Sequence, residues 1–179
     1  MMQRTKWASR RINRDHSPAL ALAVPVLSIM LGSVLTTLPV ATAAPLMPPL
    51  GLVLLIVWRL QRPGLFAAWA GFPLGLFDDL VSGQPFGSAM LLWSLAMIAL
   101  EAFETRFPWR TFAQDWLAAG VLLLGYLLAA ALVSGAQISL PVLAALIPQG
   151  LLTLAAYPLV ARVVASLDRL RLSRVRRIG

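Results

Sequence analysis

The sequence predicts an all-α integral membrane protein, and three observations support that fold class. Of the 179 residues, 59% are hydrophobic and 12% are charged, which is about half the charged share of an ordinary soluble domain. The mean hydropathy is +0.81. Long apolar stretches without Lys or Arg separate short clusters of basic residues. This pattern excludes a water-soluble enzyme, a disordered tail and a fibrous repeat.

Six apolar stretches are candidates for membrane-spanning helices, each of which needs about 20 apolar residues. They cover residues 19–41, 45–58, 63–77, 86–103, 116–134 and 139–161. The second and third stretches are short, which indicates helices that are tilted, re-entrant or buried within the protein. Pro25, Pro73, Pro148 and Pro158 lie within these stretches and are expected to kink their helices.

The basic residues predict six spans with both termini in the cytoplasm. All 15 Lys and Arg residues fall into four clusters: Arg4, Lys6, Arg10, Arg11, Arg14; Arg59, Arg62; Arg106, Arg110; and Arg162, Arg169, Arg171, Arg174, Arg176, Arg177. Six spans place every cluster on one side, and the opposite loops at 42–44, 78–85 and 135–138 contain no cation. Omitting either short span would place arginines on the outer side, against the positive-inside rule.

Three regions follow from this topology. Residues 1–18 form a basic cytoplasmic tail, residues 19–161 form the transmembrane domain, and residues 162–179 form an Arg-rich cytoplasmic tail. A net charge of +8 is also typical of nucleic-acid binding, but the cations flank apolar spans, so we expect no nucleic-acid partner. The tails are expected to lie on anionic lipids; docking of a cytosolic partner is the alternative.

Cofactor and catalytic sites are not predicted. The chain has no cysteine and one histidine, His16 in the basic tail, which excludes disulfides, histidine triads and multi-histidine metal sites. Glu101 and Glu104 lie about 20 Å along a helix from the Asp78–Asp79 pair, too far to share a substrate bond. We expect an interfacial ion pair between these glutamates and Arg106. Asp168, surrounded by arginines, is also expected to be paired.

Two small motifs indicate close packing and a tight turn. Ala67, Gly71 and Gly75 recur every four residues, a stripe that suits either packing within the chain or a contact with another protein. Asp78 and Asp79 are followed by a turn that contains Gly83, Pro85 and Gly87. Either both carboxylates are solvated or cap the turn at the outer interface, or one of them, Asp79, is buried and fixes the connection to the fourth helix or meets a partner.

These residues resemble a known family. Gly75-Leu76 with Asp79, Gly83 and Pro85-Phe86-Gly87 is similar to the Gly-Leu-x-x-Asp-x-x-x-Gly-x-x-Leu-Gly pattern of MreD proteins, with Phe86 in place of the usual Leu. Trp58-Arg59 followed by Pro63-Gly64, and Tyr157-Pro158 before an Arg-rich end, are also similar to that family. The resemblance covers residues 19–171. The N-terminal tail is longer than is usual in the family.

The resemblance implies a non-enzymatic scaffold in the bacterial inner membrane. MreD proteins associate with MreC, a single-span protein, in a cell-elongation assembly with MreB filaments, a SEDS-type glycosyltransferase and a class B penicillin-binding transpeptidase. That assembly supports side-wall peptidoglycan synthesis and cell shape. The resemblance also implies a fold similar to the substrate-binding subunits of energy-coupling-factor vitamin transporters. The candidate partner-binding or structural residues are Asp78, Asp79, Gly71, Gly75, Gly83, Pro85 and Gly87.

Two other functions compete with the scaffold. The first is a substrate-binding subunit of an energy-coupling-factor transporter, which needs a polar pocket near the outer face. The outer loops offer a small polar set: Asp78, Asp79, Ser82, Gln84 and Gln137. The second is a membrane-embedded enzyme, which the lack of paired catalytic groups on one side argues against.

Overall fold

The computed structural model describes residues 18–37, 47–135 and 139–171, and within these ranges the fold consists of helices. The helices are α1 (Pro18–Thr36), α2 (Leu50–Gln61), α3 (Gly71–Ser82), α4 (Ser88–Arg106), α5 (Phe112–Val133) and α6 (Leu140–Arg171), with a short 3-10 helix (Ala68–Ala70) before α3. Some of the predictions above concern residues outside the described ranges: His16, the loop at 42–44, residues 136–138 and the basic residues of the two tails beyond Arg171 and before Pro18.

Three of these helices are long and apolar enough to cross a membrane: Ser88–Arg106, Phe112–Val133 and the Val142–Arg171 part of α6. The apolar parts of α1 and α2 are shorter, at Ala21–Thr36 and Leu50–Gln61. The prediction of an all-helical membrane protein is thus confirmed. Six complete crossings and the position of the termini stay predictions.

The core of the bundle is α2. Nine of its 12 residues are buried, including Leu52, Val53, Ile56 and Trp58, and it contacts α1, α4, α5 and α6. A largely apolar helix is stable where other helices or lipid surround it, and here other helices cover most of α2. This burial explains how so short a helix fits a membrane protein, in agreement with the expectation of a protein-buried second span.

The third helix begins later than the apolar pattern indicated. The predicted span at 63–77 starts with a loop, where Gly64 has φ +83°, and α3 itself begins at Gly71. The prediction missed this because apolarity alone does not distinguish a loop from a helix. Pro73 consequently falls in the first turn of α3, where a missing N–H costs no hydrogen bond. Pro25, Pro148 and Pro158 do lie inside helices.

The two ends of the bundle differ in composition. One end holds the last turn of α3 and the start of α4, and we call it the Asp79 end. The other holds the end of α2, the end of α4 and the start of α5, and we call it the Arg59 end. Helix α6 continues through Arg171, ten residues beyond Ala161, and its last turns lie over the Arg59 end, where Arg171 donates to the carbonyl of Ala21 in α1 at 3.0 Å.

Candidate functional site

The hairpin formed by α3 and α4 is held by close backbone contact. A Cβ atom on Gly75 would lie 2.6 Å from the carbonyl oxygen of Ala89 and 2.7 Å from the Cα of Met90. A Cβ atom on Gly71 would lie 2.6 Å from the carbonyl oxygen of Trp93. The structure therefore places both glycines against α4 of the same chain, and Ala67 precedes the helical part of this stripe in an extended conformation.

Asp79 caps the start of α4 from the last turns of α3. Its Oδ2 accepts from the backbone N–H groups of Gly87 and Met90, both at 3.0 Å. Its Oδ1 accepts from the N–H of Ala89 at 2.8 Å and from the Ser88 hydroxyl at 3.3 Å. The first N–H groups of a helix lack partners within the helix and carry partial positive charge. One carboxylate thus satisfies three of them and fixes the angle between the two helices.

The turn between the helices follows a path that glycine permits. Gly83 and Gly87 have φ values of +68° and +92°, a region that is strained for residues with a side chain. The carbonyl of Pro85 accepts from the N–H of Ser88 at 3.0 Å. At the apex, Phe86 is 71% exposed. The rigid turn therefore presents an aromatic side chain at the Asp79 end.

Asp78 is buried beside Asp79 but has different surroundings. The two residues are 7% and 5% exposed, respectively. Ser33 of α1, Tyr126 of α5 and Asp79 are the polar neighbours of Asp78. Both side chains are buried, so the solvated form of the first alternative is wrong, whereas the capping that it also allowed is made by Asp79. The alternative in which Asp79 is buried and fixes the connection to α4 agrees with the structure.

A buried ion pair joins α2 to α4 at the Arg59 end. Arg59 Nη2 lies 2.9 Å from Glu104 Oε2, and Arg59 Nε donates to Glu104 Oε1 at 3.0 Å. Arg59 also donates to the carbonyl of Phe66 in the loop before α3. The expected pairing of Glu104 with Arg106 is wrong, because the buried Arg59 needs a charged partner more than the exposed Arg106 does.

A second charged cluster fastens the last turns of α6. Asp168 pairs with Arg62, the residue that follows α2, and with Arg171 at 3.3 Å. The Arg171 guanidinium lies 5.7 Å from the centroid of the Trp58 ring, within range of a cation–π contact. The prediction that Asp168 is paired is confirmed. On the other side of this end, Arg110 pairs with Asp115 at 2.8 Å.

The family match covers most of the chain. Residues 17–167 match the family described as MreD, rod shape-determining protein MreD. The chain belongs to the MreD family. The resemblance identified from the Gly75–Gly87 motif is thereby confirmed, and membership implies a role in rod shape determination. No curated protein and no solved structure matches the chain significantly.

The residues that match the MreD family include both the Asp79 turn and the Arg59–Glu104 pair. The sequence predicted the Asp79 turn but not the Arg59–Glu104 pair. Adjacent carboxylates before a Gly- and Pro-rich turn are visible as a motif. Arg59 directly follows an apolar run of nine residues, a position that suits either an arginine at the membrane boundary or a buried one with a charged partner. The partner is 45 residues away, and no spacing rule points to it.

The described part of this MreD protein offers little for ligand chemistry. Within residues 18–37, 47–135 and 139–171, no group of three or more His, Asp or Glu side chains is arranged to hold a metal ion. A groove of about 270 Å³ between α4 and α5 has an almost wholly apolar lining: Phe103, Phe107, Gln114, Leu117, Ala118 and Val121. The expectation of no cofactor stays a prediction.

Proposed function

We propose that this protein is a non-enzymatic membrane scaffold of the bacterial cell-elongation complex. In this proposal it binds an MreC-like single-span protein and supports side-wall peptidoglycan synthesis and cell shape. The observation that carries the proposal is the α3–α4 hairpin, whose turn is fixed by Asp79 and exposes Phe86. Exposed aromatic side chains on rigid backbones dominate many protein interfaces, because little entropy is lost on binding.

Four of the six described carboxylates support a structural role, whereas Asp78 and Glu101 form no ion pair among the described residues. Asp79 caps α4, and Glu104, Asp115 and Asp168 are paired with arginines. A general acid or base needs a free position for substrate within hydrogen-bonding distance. Carboxylates that are already bound to backbone or to arginine suit a protein whose function is to hold its shape while partners assemble on it.

The proposed orientation places the Arg59 end in the cytoplasm, with six crossings of the bacterial inner membrane and both termini cytoplasmic. Support comes from the arginines of the described residues, all of which lie at that end: Arg59, Arg62, Arg106, Arg110, Arg162, Arg169 and Arg171. Short loops rich in Arg stay on the cytoplasmic side. The Asp79 end then faces the periplasm, where the larger part of an MreC-like protein would lie.

The family match does not favour the transporter interpretation. Its polar set near the outer face included Asp78 and Asp79, and both side chains are buried in the bundle. The expected similarity to energy-coupling-factor subunits stays a prediction about the fold. Recovery of ATPase subunits with the tagged protein would move the function to vitamin uptake.

The test is co-purification of the tagged full chain from its own membranes, with bound proteins identified by mass spectrometry. We expect an MreC-like single-span protein, with elongation synthases and MreB in smaller amounts. The Phe86→Ala variant should retain at least about fivefold less of that protein, because a buried aromatic anchor contributes on the order of 2 kcal/mol.

Phe72→Ala provides the matched control, because Phe72 is also exposed (53%) but lies in the first turn of α3, away from the Asp79 turn. Its retention of the partner should equal that of the unmodified protein. If the Phe86 and Phe72 variants retained equal amounts of the MreC-like protein, the Asp79 turn would not be the binding surface. Absence of any MreC-like protein from the unmodified sample would overturn the scaffold proposal itself.

A further inference from the structure

The charges at the Arg59 end are distributed unevenly. One side is formed by α4 and α5, together with Arg59 of α2, which pairs with Glu104. This side has equal numbers of arginines and carboxylates: Arg59, Arg106, Arg110 and Glu101, Glu104, Asp115. On the side formed by the end of α2 and the last turns of α6, four arginines share one carboxylate: Arg62, Arg162, Arg169, Arg171 and Asp168. The second side therefore carries a surplus of positive charge that the described residues do not balance.

The surplus is concentrated on one strip of α6. Arg162, Ser166 and Arg169 are spaced by four and three residues, so they share one face of the helix, and all three are exposed. Ser166 donates to the carbonyl of Arg162 at 3.0 Å, and Arg169 Nη2 donates to the Ser166 hydroxyl at 3.1 Å. Among the described residues, neither Arg162 nor Arg169 forms an ion pair. We call these three residues the Arg162 strip.

An apolar strip runs beside the Arg162 strip. Leu159 and Val163 are exposed on the adjoining face of α6, whereas Ala161 and Val164 on the opposite face are buried in the bundle. A helix that shows apolar and cationic strips side by side is typical of the boundary between acyl chains and headgroups. Here the boundary coincides with the end of the bundle where the arginines lie.

We propose that the Arg162 strip binds the phosphate of an anionic phospholipid headgroup, with the acyl chains along Leu159 and Val163. Guanidinium groups donate several hydrogen bonds to phosphate oxygens in a fixed geometry. The two arginines lie about 10 Å apart along the helix axis, so one diacyl lipid with a negative headgroup, or two side by side, can contact both. An acidic segment of a soluble protein would leave the adjoining apolar strip unexplained, which is why we assign the lipid.

The experiment measures lipid binding to the purified full chain by native mass spectrometry, with phosphatidylglycerol and phosphatidylcholine as the probes. Phosphatidylglycerol should bind more tightly than phosphatidylcholine, and the difference should shrink with rising salt. Arg162→Gln and Arg169→Gln should each weaken phosphatidylglycerol binding about fivefold, since one basic residue near an anionic surface contributes on the order of a fivefold factor.

Arg106→Gln is the matched control, because Arg106 is an exposed arginine at the same end without an ion pair among the described residues, on the balanced side. It should leave phosphatidylglycerol binding unchanged. If all three substitutions weakened phosphatidylglycerol binding equally, the protein would be responding to net charge alone and the assigned site would be overturned. Equal affinity for phosphatidylglycerol and phosphatidylcholine would also overturn the assigned site. Unchanged unfolding temperatures would establish that the variants are folded. A variant with a lowered unfolding temperature would be replaced by the corresponding Arg→Lys variant. The Lys variant should retain most of the phosphatidylglycerol binding.

Discussion

The two ends of the bundle are held by different kinds of contact. At the Asp79 end, one carboxylate reaches donors that lie 8 to 11 residues ahead in the chain. At the Arg59 end, side chains join residues that lie 45, 106 and 150 residues apart. Closing a long stretch of chain costs more entropy than closing a short one. The α3–α4 hairpin is therefore held by contacts within one stretch of chain, whereas the Arg59 end depends on helices that are distant in the sequence.

The contacts also differ in what they leave behind when broken. Removal of the Asp79 carboxylate exposes neutral N–H groups that have no other partner. Removal of Glu104 strands a buried positive charge, which is more costly. Substitutions at the two ends should therefore differ in size, and matched neighbours in the chain allow each effect to be isolated.

The largest loss of stability is expected at the Arg59 end. Glu104→Ala should lower the free energy of unfolding by about 4 kcal/mol, because it leaves Arg59 buried without its carboxylate. Denaturation in mixed detergent micelles measures this change. Glu101→Ala, in the same helix but exposed and without an ion pair among the described residues, should change stability by less than about 0.5 kcal/mol. Similar losses in the two variants would mean that the Arg59–Glu104 pair is not the main contact of this end.

A smaller loss is expected from Asp79→Asn. The amide keeps one acceptor oxygen, but its NH₂ group takes the place of the other carboxylate oxygen. In the unmodified protein, that oxygen accepts from the N–H groups of Gly87 and Met90, and an NH₂ group cannot accept from them. We expect a loss of about 3 kcal/mol, from two unsatisfied N–H groups.

The adjacent Asp78→Asn provides the comparison, since Asp78 has polar neighbours but no ion pair among the described residues. This variant should be close to neutral in the same denaturation measurement, because it removes a carboxylate from the interior and keeps an acceptor. If the two asparagine variants have the same stability, the capping role of Asp79 is refuted.

The smallest of the three effects is expected at the glycine contact. Gly75→Ala places a Cβ atom against the backbone of Ala89 and Met90, and the resulting shift of α4 should cost about 2 kcal/mol. Gly125→Ala, in the middle of α5 with open space around it, should instead stabilise the helix by up to about 1 kcal/mol. Thermal unfolding of the two variants should therefore shift in opposite directions, and a shift in the same direction would contradict the close packing of α3 on α4.

Part of this fold was predictable because its signals are local. Apolar stretches between basic clusters predicted the helices, and the Asp78–Gly87 segment predicted a turn with a structural carboxylate. The start of α3 was not predictable in the same way. The loop before it is held by the contact of Arg59 with the Phe66 carbonyl, and hydropathy does not register such a contact. The partner of Glu104 was mispredicted for a related reason, since helical spacing favours neighbours and the actual partner lies in α2.

The sequence by itself determined that this is a membrane protein, which family it belongs to and where the turn between α3 and α4 lies. These properties depend on composition, on charge along the chain and on residues within about a dozen positions of one another. The tertiary structure decided which of two adjacent carboxylates caps α4, which glutamate neutralises Arg59, and which arginines are left unbalanced at the end of α6. Each of these outcomes depends on which helices meet, and the burial of a charge then selects its partner across the bundle.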